Sequence, residues 1–207
     1  AYVARRRYHN IPLILTVHGY DMNVLENFGY GILYYHNMKE IVKKVFTHSD
    51  LIIVVAKDMI EKVKELGGKN VIYLPNGVDT SIFTPNLSIQ DREYIEKLKE
   101  KVSVGDKILI GYFRHIKPQY GYFYIPYIAK ILKGKGFDNF KIILAGDAPR
   151  LYLLHFSKML HDLDVKDFIT YLGVIPRSQM PILYKAIDIY INISLTDGMP
   201  PSVLEAM

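Results

Sequence analysis

Short, almost wholly apolar runs alternate along this chain with longer stretches whose apolar residues recur every three or four positions. Residues 11–17 (IPLILTV) form the first such run and end at His18-Gly19, which reads as a buried parallel strand leading into a loop. In residues 33–47, Met38, Ile41, Val42, Val45 and Phe46 share one helical face. Residues 51–55 (LIIVV) predict a second buried strand, and 57–66 a helix through Met59, Ile60, Val63 and Leu66, with Gly67 where a terminating glycine belongs. A third strand, 71–74, stops at the turn signal Pro75-Asn76-Gly77.

Residues 79–91 contain Pro85, Asn86 and Ser88, show no period, and read as a connection between domains. A polar helix follows, with Tyr94, Ile95, Leu98 and Val102 turned inward. The alternation then resumes with strands at 107–113, 141–145, 168–172 and 189–193. Helices are predicted at 122–132, 149–161 and 179–186, and one more begins near Pro201. Strands alternating with helices of this length imply an α/β chain with parallel sheets and right-handed crossovers. The expected organisation is one domain over 1–84, a connection and helix over 85–105, and a second domain over 106–207. Ligands of such sheets lie beyond the carboxyl ends of the strands, which draws attention to the loops after Val17, Leu74, Phe113, Ala145, Leu172 and Ile193.

Composition narrows the chemistry. With 50% hydrophobic and 23% charged residues, the 207-residue chain has ordinary globular character. Cysteine is absent, which rules out disulfides and thiolate metal sites and fits a reducing compartment, so a cytoplasmic setting is expected. No apolar run reaches the roughly 18 residues of a membrane span. The net charge of +5 is spread along the chain without the aromatic-basic motif of a nucleic-acid module, so no nucleic-acid partner is expected. The same mild excess suits anionic phosphates or peripheral contact with an anionic membrane face. The tightest basic cluster, Arg5-Arg6-Arg7, reads as a solvated face.

The most informative stretch is Ser194 to Met207 (SLTDGMPPSVLEAM). Asp197 and Gly198 fall on a strand-to-helix loop, and Pro200 and Pro201 suit a first helical turn. The helix start offers free amides to an anion. Asp197 lies just before that helix and Glu205 about one turn inside it, so both carboxylates can face one pocket and accept sugar hydroxyls. Asp162-Leu-Asp164 has the spacing of a metal-binding pair but falls between a helix and the strand near Phe168, away from the ligand end; no metal site is expected. Neither a Walker loop nor Gly-x-Gly-x-x-Gly follows any predicted strand.

Asp197 to Met207 (DGMPPSVLEAM) resembles the Glu-Gly-x-(Gly/Pro)-x-x-x-x-Glu-Ala-Met segment of the family 4 retaining glycosyltransferases, enzymes of the two-domain GT-B fold. Four further stretches are similar to that family in the same order. They are Thr16-Val-His-Gly-Tyr-Asp21, Pro75-Asn-Gly-Val-Asp through Phe83-Thr-Pro85, Leu144-Ala-Gly-Asp-Ala148, and Gly173 to Asp188. The resemblance implies two Rossmann-like domains with parallel sheets, both incomplete. It implies a nucleoside-diphosphate sugar as donor, no cofactor or metal, and a sugar, glycan or lipid-linked acceptor.

Carried over residue by residue, the resemblance has Glu205 bind the donor's ribose and Asp197, in place of the usual Glu, contact the transferred sugar, with His18 nearby. The backbone at Gly198, Met199 and Pro200 should supply amides to the sugar or diphosphate. The backbone at Val174 and Ile175 should meet the base. Arg114 takes the diphosphate arginine's place; the lysine common just before the loop glycine is Tyr120 here, leaving Lys117 as the substitute cation. The resemblance also implies units before residue 11 and helices after Met207, so these residues alone are expected to lack transferase activity. A sugar-nucleotide-binding module without catalysis and a GT-B epimerase remain as alternatives.

Overall fold

The computed structural model describes residues 11–207; the Arg5–Arg7 cluster lies outside the described residues. They form two compact units, one running to Gly77 and taking in Thr196–Pro201, the other made of Val78–Leu195 and Ser202–Met207.

The first unit holds β1 (Ile14–Val17), α1 (Met38–Thr47), β2 (Leu51–Val54), α2 (Met59–Glu65) and β3 (Val71–Tyr73). Its strands pair in parallel in the order β1-β2-β3, with Ile14 opposite Leu51 and Ile52 opposite Val71. On the central strand Ile52 and Val54 share one face and are buried against Val42 and Phe46 of α1 and Met59 and Val63 of α2, while Leu51 and Ile53 on the other face are half-buried. The helix expected from residue 33 starts later. Residues Ile32–Tyr34 make a 3-10 turn, and Asn37 takes a left-handed conformation (φ 66°) that an α-helix does not continue through. Asparagine adopts this conformation at lower cost than most residues.

The second unit holds α3 (Ile89–Lys101), β4 (Ile108–Tyr112), α4 (Tyr124–Gly134), β5 (Phe140–Leu144), α5 (Arg150–Asp162), β6 (Ile169–Tyr171), α6 (Met180–Ala186), β7 (Ile189–Tyr190) and, from Ser202 on, α7 (Pro201–Ala206). The sheet is parallel, in the order β6-β5-β4-β7, and Ile110 sits between Ile142 and Ile189. Successive side chains point to opposite faces. Ile110, Tyr112, Ile142 and Leu144 accordingly enter one core, and Leu109 and Ile143 the other. Each fully buried Ile or Leu contributes about 1.5–3 kcal/mol over its exposed state. Lys141 interrupts the apolar run of β5 yet is buried, because its ammonium reaches out to the Asp167 carbonyl at 2.8 Å. Burial, and secondarily Lys107, hold its pKa below the usual lysine value.

These are the two α/β units with parallel sheets that the GT-B reading implies. The boundary falls at Gly77, earlier than the expected residue 84, and the expected connection over 85–105 belongs to the second unit. The reason is packing: Phe83 meets Tyr184 edge-on at 5.9 Å, and Lys185 both donates to the Asn86 carbonyl at 2.7 Å and pairs with Asp91 at 3.1 Å. Ser88 and Asp91 also form a reciprocal capping box, so α3 begins inside the stretch that shows no period. Among the described residues, no helix is long and apolar enough to cross a membrane.

Candidate functional site

In the first unit, the loop after β1 and the Thr196–Pro201 segment lie against each other. The His18 amide donates to the Asp21 carboxylate at 3.1 Å, and the Gly19 carbonyl accepts from Met22 and Asn23, which closes a tight turn. A Cβ on Gly198 would lie 2.5 Å from the His18 carbonyl oxygen and 3.0 Å from both Met59 Cε and Val55 Cγ2. Only glycine permits that approach. The His18 side chain is exposed. Asp197 accepts from the Gly198 amide at 3.1 Å, and Asn76 Nδ2 donates to the Met199 carbonyl at 2.7 Å. Asn76 comes from the Pro75-Asn-Gly-Val-Asp stretch, so three of the resembling stretches meet here.

The expectation for backbone donors needs two corrections. Pro200 has no N–H and cannot donate. The Gly198 N–H is already committed to Asp197. In addition, α7 has only six residues, so few peptide dipoles align behind its start and the anion site expected there is weak.

In the second unit, the loops after β4, β5, β6 and β7 converge at the carboxyl end of the sheet. Gly146 (φ 147°) sits so close beneath the β4 loop that a Cβ would lie 2.4 Å from the Arg114 carbonyl oxygen. The Gly146 amide donates to the Gly173 carbonyl at 2.9 Å, and Tyr171 Oη donates to the Gly146 carbonyl at 2.6 Å. Gly121 plays the matching part for the β7 loop, since a Cβ there would lie 2.2 Å from the Ile193 carbonyl oxygen.

On this base the Arg114 guanidinium stands 4.3 Å over the Tyr120 ring and donates from Nη1 to Ser202 Oγ at 3.2 Å. Tyr120 is thus a platform for the arginine rather than a second cation. Its own carbonyl accepts from the buried Tyr112 hydroxyl at 2.8 Å. Lys117 precedes the 3-10 turn Pro118–Tyr120; its amide donates to the His115 carbonyl at 2.9 Å, and its side chain is half-buried. Val174 is exposed on the β6 loop, while Ile175 packs into the second core.

Glu205, one turn into α7, is 8% exposed. Its Oε1 accepts from Arg177 Nη2 at 2.6 Å, and its Oε2 accepts from Tyr184 Oη at 3.2 Å. A buried carboxylate is costly unless paired and hydrogen-bonded, and both conditions hold here. Tyr112, Tyr184 and Tyr190 all have hydroxyl pKa values raised, first by burial. The Tyr190 hydroxyl is buried without a hydrogen bond of good geometry, although Ser202 and Tyr184 are near enough to interact with it.

Arg177, Tyr184 and Ser202 escape a reading of the sequence. Ser202 and Tyr184 lie within resembling stretches, but nothing local marks their partners. Arg177 reaches Glu205 across a separation in the chain that no local period spans. The Asp162/Asp164 pair is engaged otherwise: Asp162 pairs with Lys158, and Asp164 with Lys133 at 2.7 Å. Among the described residues, no cluster of three or more His, Cys, Asp or Glu side chains could hold a metal.

Comparison with known proteins places these segments in context. The sequence model described as "Glycosyl transferases group 1" matches residues 94–207. That described as "Glycosyltransferase Family 4" matches residues 1–82. An alpha-monoglucosyldiacylglycerol synthase of Streptococcus pneumoniae is 26% identical over 95% of this chain and 44% of its own length. The Escherichia coli UDP-Gal:alpha-D-GlcNAc-diphosphoundecaprenol alpha-1,3-galactosyltransferase is 27% identical over 97% of this chain and 50% of its own. Among solved structures, Anabaena HepE in complex with UDP and glucose superposes with a TM-score of 0.78 at 19% identity, covering 99% of this chain and 52% of that one. Sucrose-phosphate synthase of Thermosynechococcus elongatus gives 0.75 at 13% identity, over 99% and 50%. The chain therefore spans about half the length of the relatives it matches.

Proposed function

Since this chain belongs to the group 1 glycosyltransferases, we propose that it carries the donor-handling chemistry of a nucleotide-sugar-dependent transferase. The sugar of a nucleoside-diphosphate sugar moves to a sugar, glycan or lipid-linked acceptor with retention of anomeric configuration. No metal takes part. The observation that carries this reading is the buried Glu205 carboxylate at the carboxyl end of the second sheet, inside the family's segment. An ionised group is expensive to bury, and a ribose diol is a ligand that a carboxylate with several acceptor positions can hold through two O–H donors.

Each of the other residues has a part. Val174 and Ile175 present backbone to the base. Arg114, braced on Tyr120, meets the diphosphate and stabilises the negative charge that builds as the leaving group departs; a donor oriented in advance acts without reorganisation cost at that moment. Lys117 lies on the same loop and adds a second positive charge. Asp197 and His18 serve the transferred sugar, with Asp197 one methylene shorter than the family's usual Glu. Arg114 takes the charge-neutralising part that a divalent cation plays elsewhere, so transfer by the intact enzyme survives excess EDTA; loss of transfer restored by Mn²⁺ would refute that element.

The test is a melting-temperature screen of the intact enzyme against UDP-, GDP- and ADP-linked sugars, followed by product analysis with the donor that binds. One donor class should raise the midpoint and give a product of the same anomeric configuration. No shift with any donor would sink the reading, and an epimerised donor would replace transfer by isomerisation.

A further inference from the structure

Resting on that reading of Glu205, we infer that Arg177 is a displaceable cap on the ribose-binding carboxylate, paired with it in the empty site and driven off by the arriving nucleotide. Glu205 has both oxygens occupied, one by Arg177 at 2.6 Å and one by Tyr184 at 3.2 Å, and its side chain is only 5% exposed. A ribose diol must compete with these two donors for such a group. Of the two partners, only Arg177 is free to leave. Tyr184 is buried in the second core, against Phe83, Phe113 and Tyr190. Arg177 has a side chain 75% exposed. It opens a three-residue 3-10 turn behind Pro176, and beyond Glu205 its guanidinium approaches the Phe83 ring at 5.6 Å.

The cap has two consequences. It keeps Glu205 aimed and its charge paired while no nucleotide is present, because a buried charge without a partner is costly. It also sets a cost on binding, since the ion pair must be given up before the ribose hydroxyls can take its place. The exchange is selective. A ligand that brings two O–H donors to the carboxylate compensates for the lost pair, and a ligand without them does not. Arg177 is therefore a positioning residue that tunes nucleotide affinity and favours ribose over deoxyribose.

The experiment measures Kd by calorimetry for UDP, GDP and ADP and, for the tightest of these, its 2′,3′-dideoxy analogue, with wild type, Arg177→Ala and Arg177→Lys. Wild type should favour the ribonucleotide by about tenfold, the value of one charged hydrogen bond. In Arg177→Ala the ribonucleotide should tighten by about three- to fivefold, the upper value of a partly exposed ion pair. The dideoxy analogue should stay within about twofold. Arg177→Lys, which keeps the charge but loses the fork, should tighten less, and it stands in if the Ala variant does not fold. Weaker or unchanged ribonucleotide binding in both variants would overturn the cap and leave Glu205's role intact. Equal affinity for the ribo and dideoxy forms in wild type, or no binding by any nucleotide, would instead remove the ribose reading and the cap with it.

Discussion

Gly146→Ala probes how firmly the Arg114 loop is held. The added Cβ would lie 2.4 Å from the Arg114 carbonyl oxygen, and real Cβ contacts essentially never fall below 3.0 Å, so the loop must retreat by about 0.6 Å. It has little freedom to do so. Gly146 is fixed on both sides, its amide on Gly173 and its carbonyl under the Tyr171 hydroxyl. Its φ of 147° is also one that L-residues adopt only under strain. Such strain costs about 1–3 kcal/mol, and overpacking about the same again. A loss of about 2–6 kcal/mol is expected, which lowers the melting midpoint of a chain this size by roughly 4–24 °C. Because the shift moves the base on which Arg114 stands, nucleoside-diphosphate affinity should also fall, by about tenfold. Gly134→Ala is the control. Gly134 ends α4, a Cβ added there would meet nothing within 4 Å, and the change should be neutral or stabilise by about 0.5–1 kcal/mol. Urea unfolding and calorimetry read both variants. A Gly146→Ala protein with wild-type stability and affinity would refute the claim that this contact holds the loop.

Arg114→Ala should weaken a nucleoside diphosphate by about 10- to 100-fold and leave the corresponding nucleoside nearly unaffected; calorimetry with both ligands checks this, and equal losses would move Arg114 away from the phosphates. Raising the pH should destabilise the protein above about pH 10. Tyr112, Tyr184 and Tyr190 have folded pKa values raised above the ordinary 10.0, so the stability they contribute is complete below pH 10 and is lost as pH rises toward the folded values. Absorbance at 295 nm should show late tyrosinates appearing together with unfolding, and their smooth titration in a folded protein would contradict this.

Much of this architecture is legible because buried parallel strands are apolar on both faces. The runs that became β2, β4 and β5 could not be mistaken for surface. Lys141 shows how one charged residue can hide in such a run when its stem is buried and its tip finds a carbonyl. Edges were less legible. Asn37 delays α1 through a backbone conformation that no hydrophobic period encodes. β7 ends at Tyr190 rather than residue 193, and beyond it the Ile193 carbonyl turns toward Gly121. The position of Glu205 on the helix that follows the Asp197 loop is a matter of local spacing. Its pairing with Arg177 is not, since it joins α7 to a 3-10 turn 28 residues earlier in the chain. The Ser88–Asp91 box was readable from its spacing, yet it stood in a stretch whose prolines and missing period suggested only a connection.

The central claim is that Glu205 holds the nucleotide of the donor, and the most direct measurement is the nucleotide affinity of Glu205→Gln against wild type. The substitution keeps the shape and a hydrogen-bonding group beside Tyr184 and Arg177 but removes the charge. A hydrogen bond to a charged group contributes about 1.5–3 kcal/mol, so the account predicts a loss of about 10- to 100-fold in a folded variant. Unchanged affinity for the ribonucleotide in a variant that melts as wild type does would contradict it.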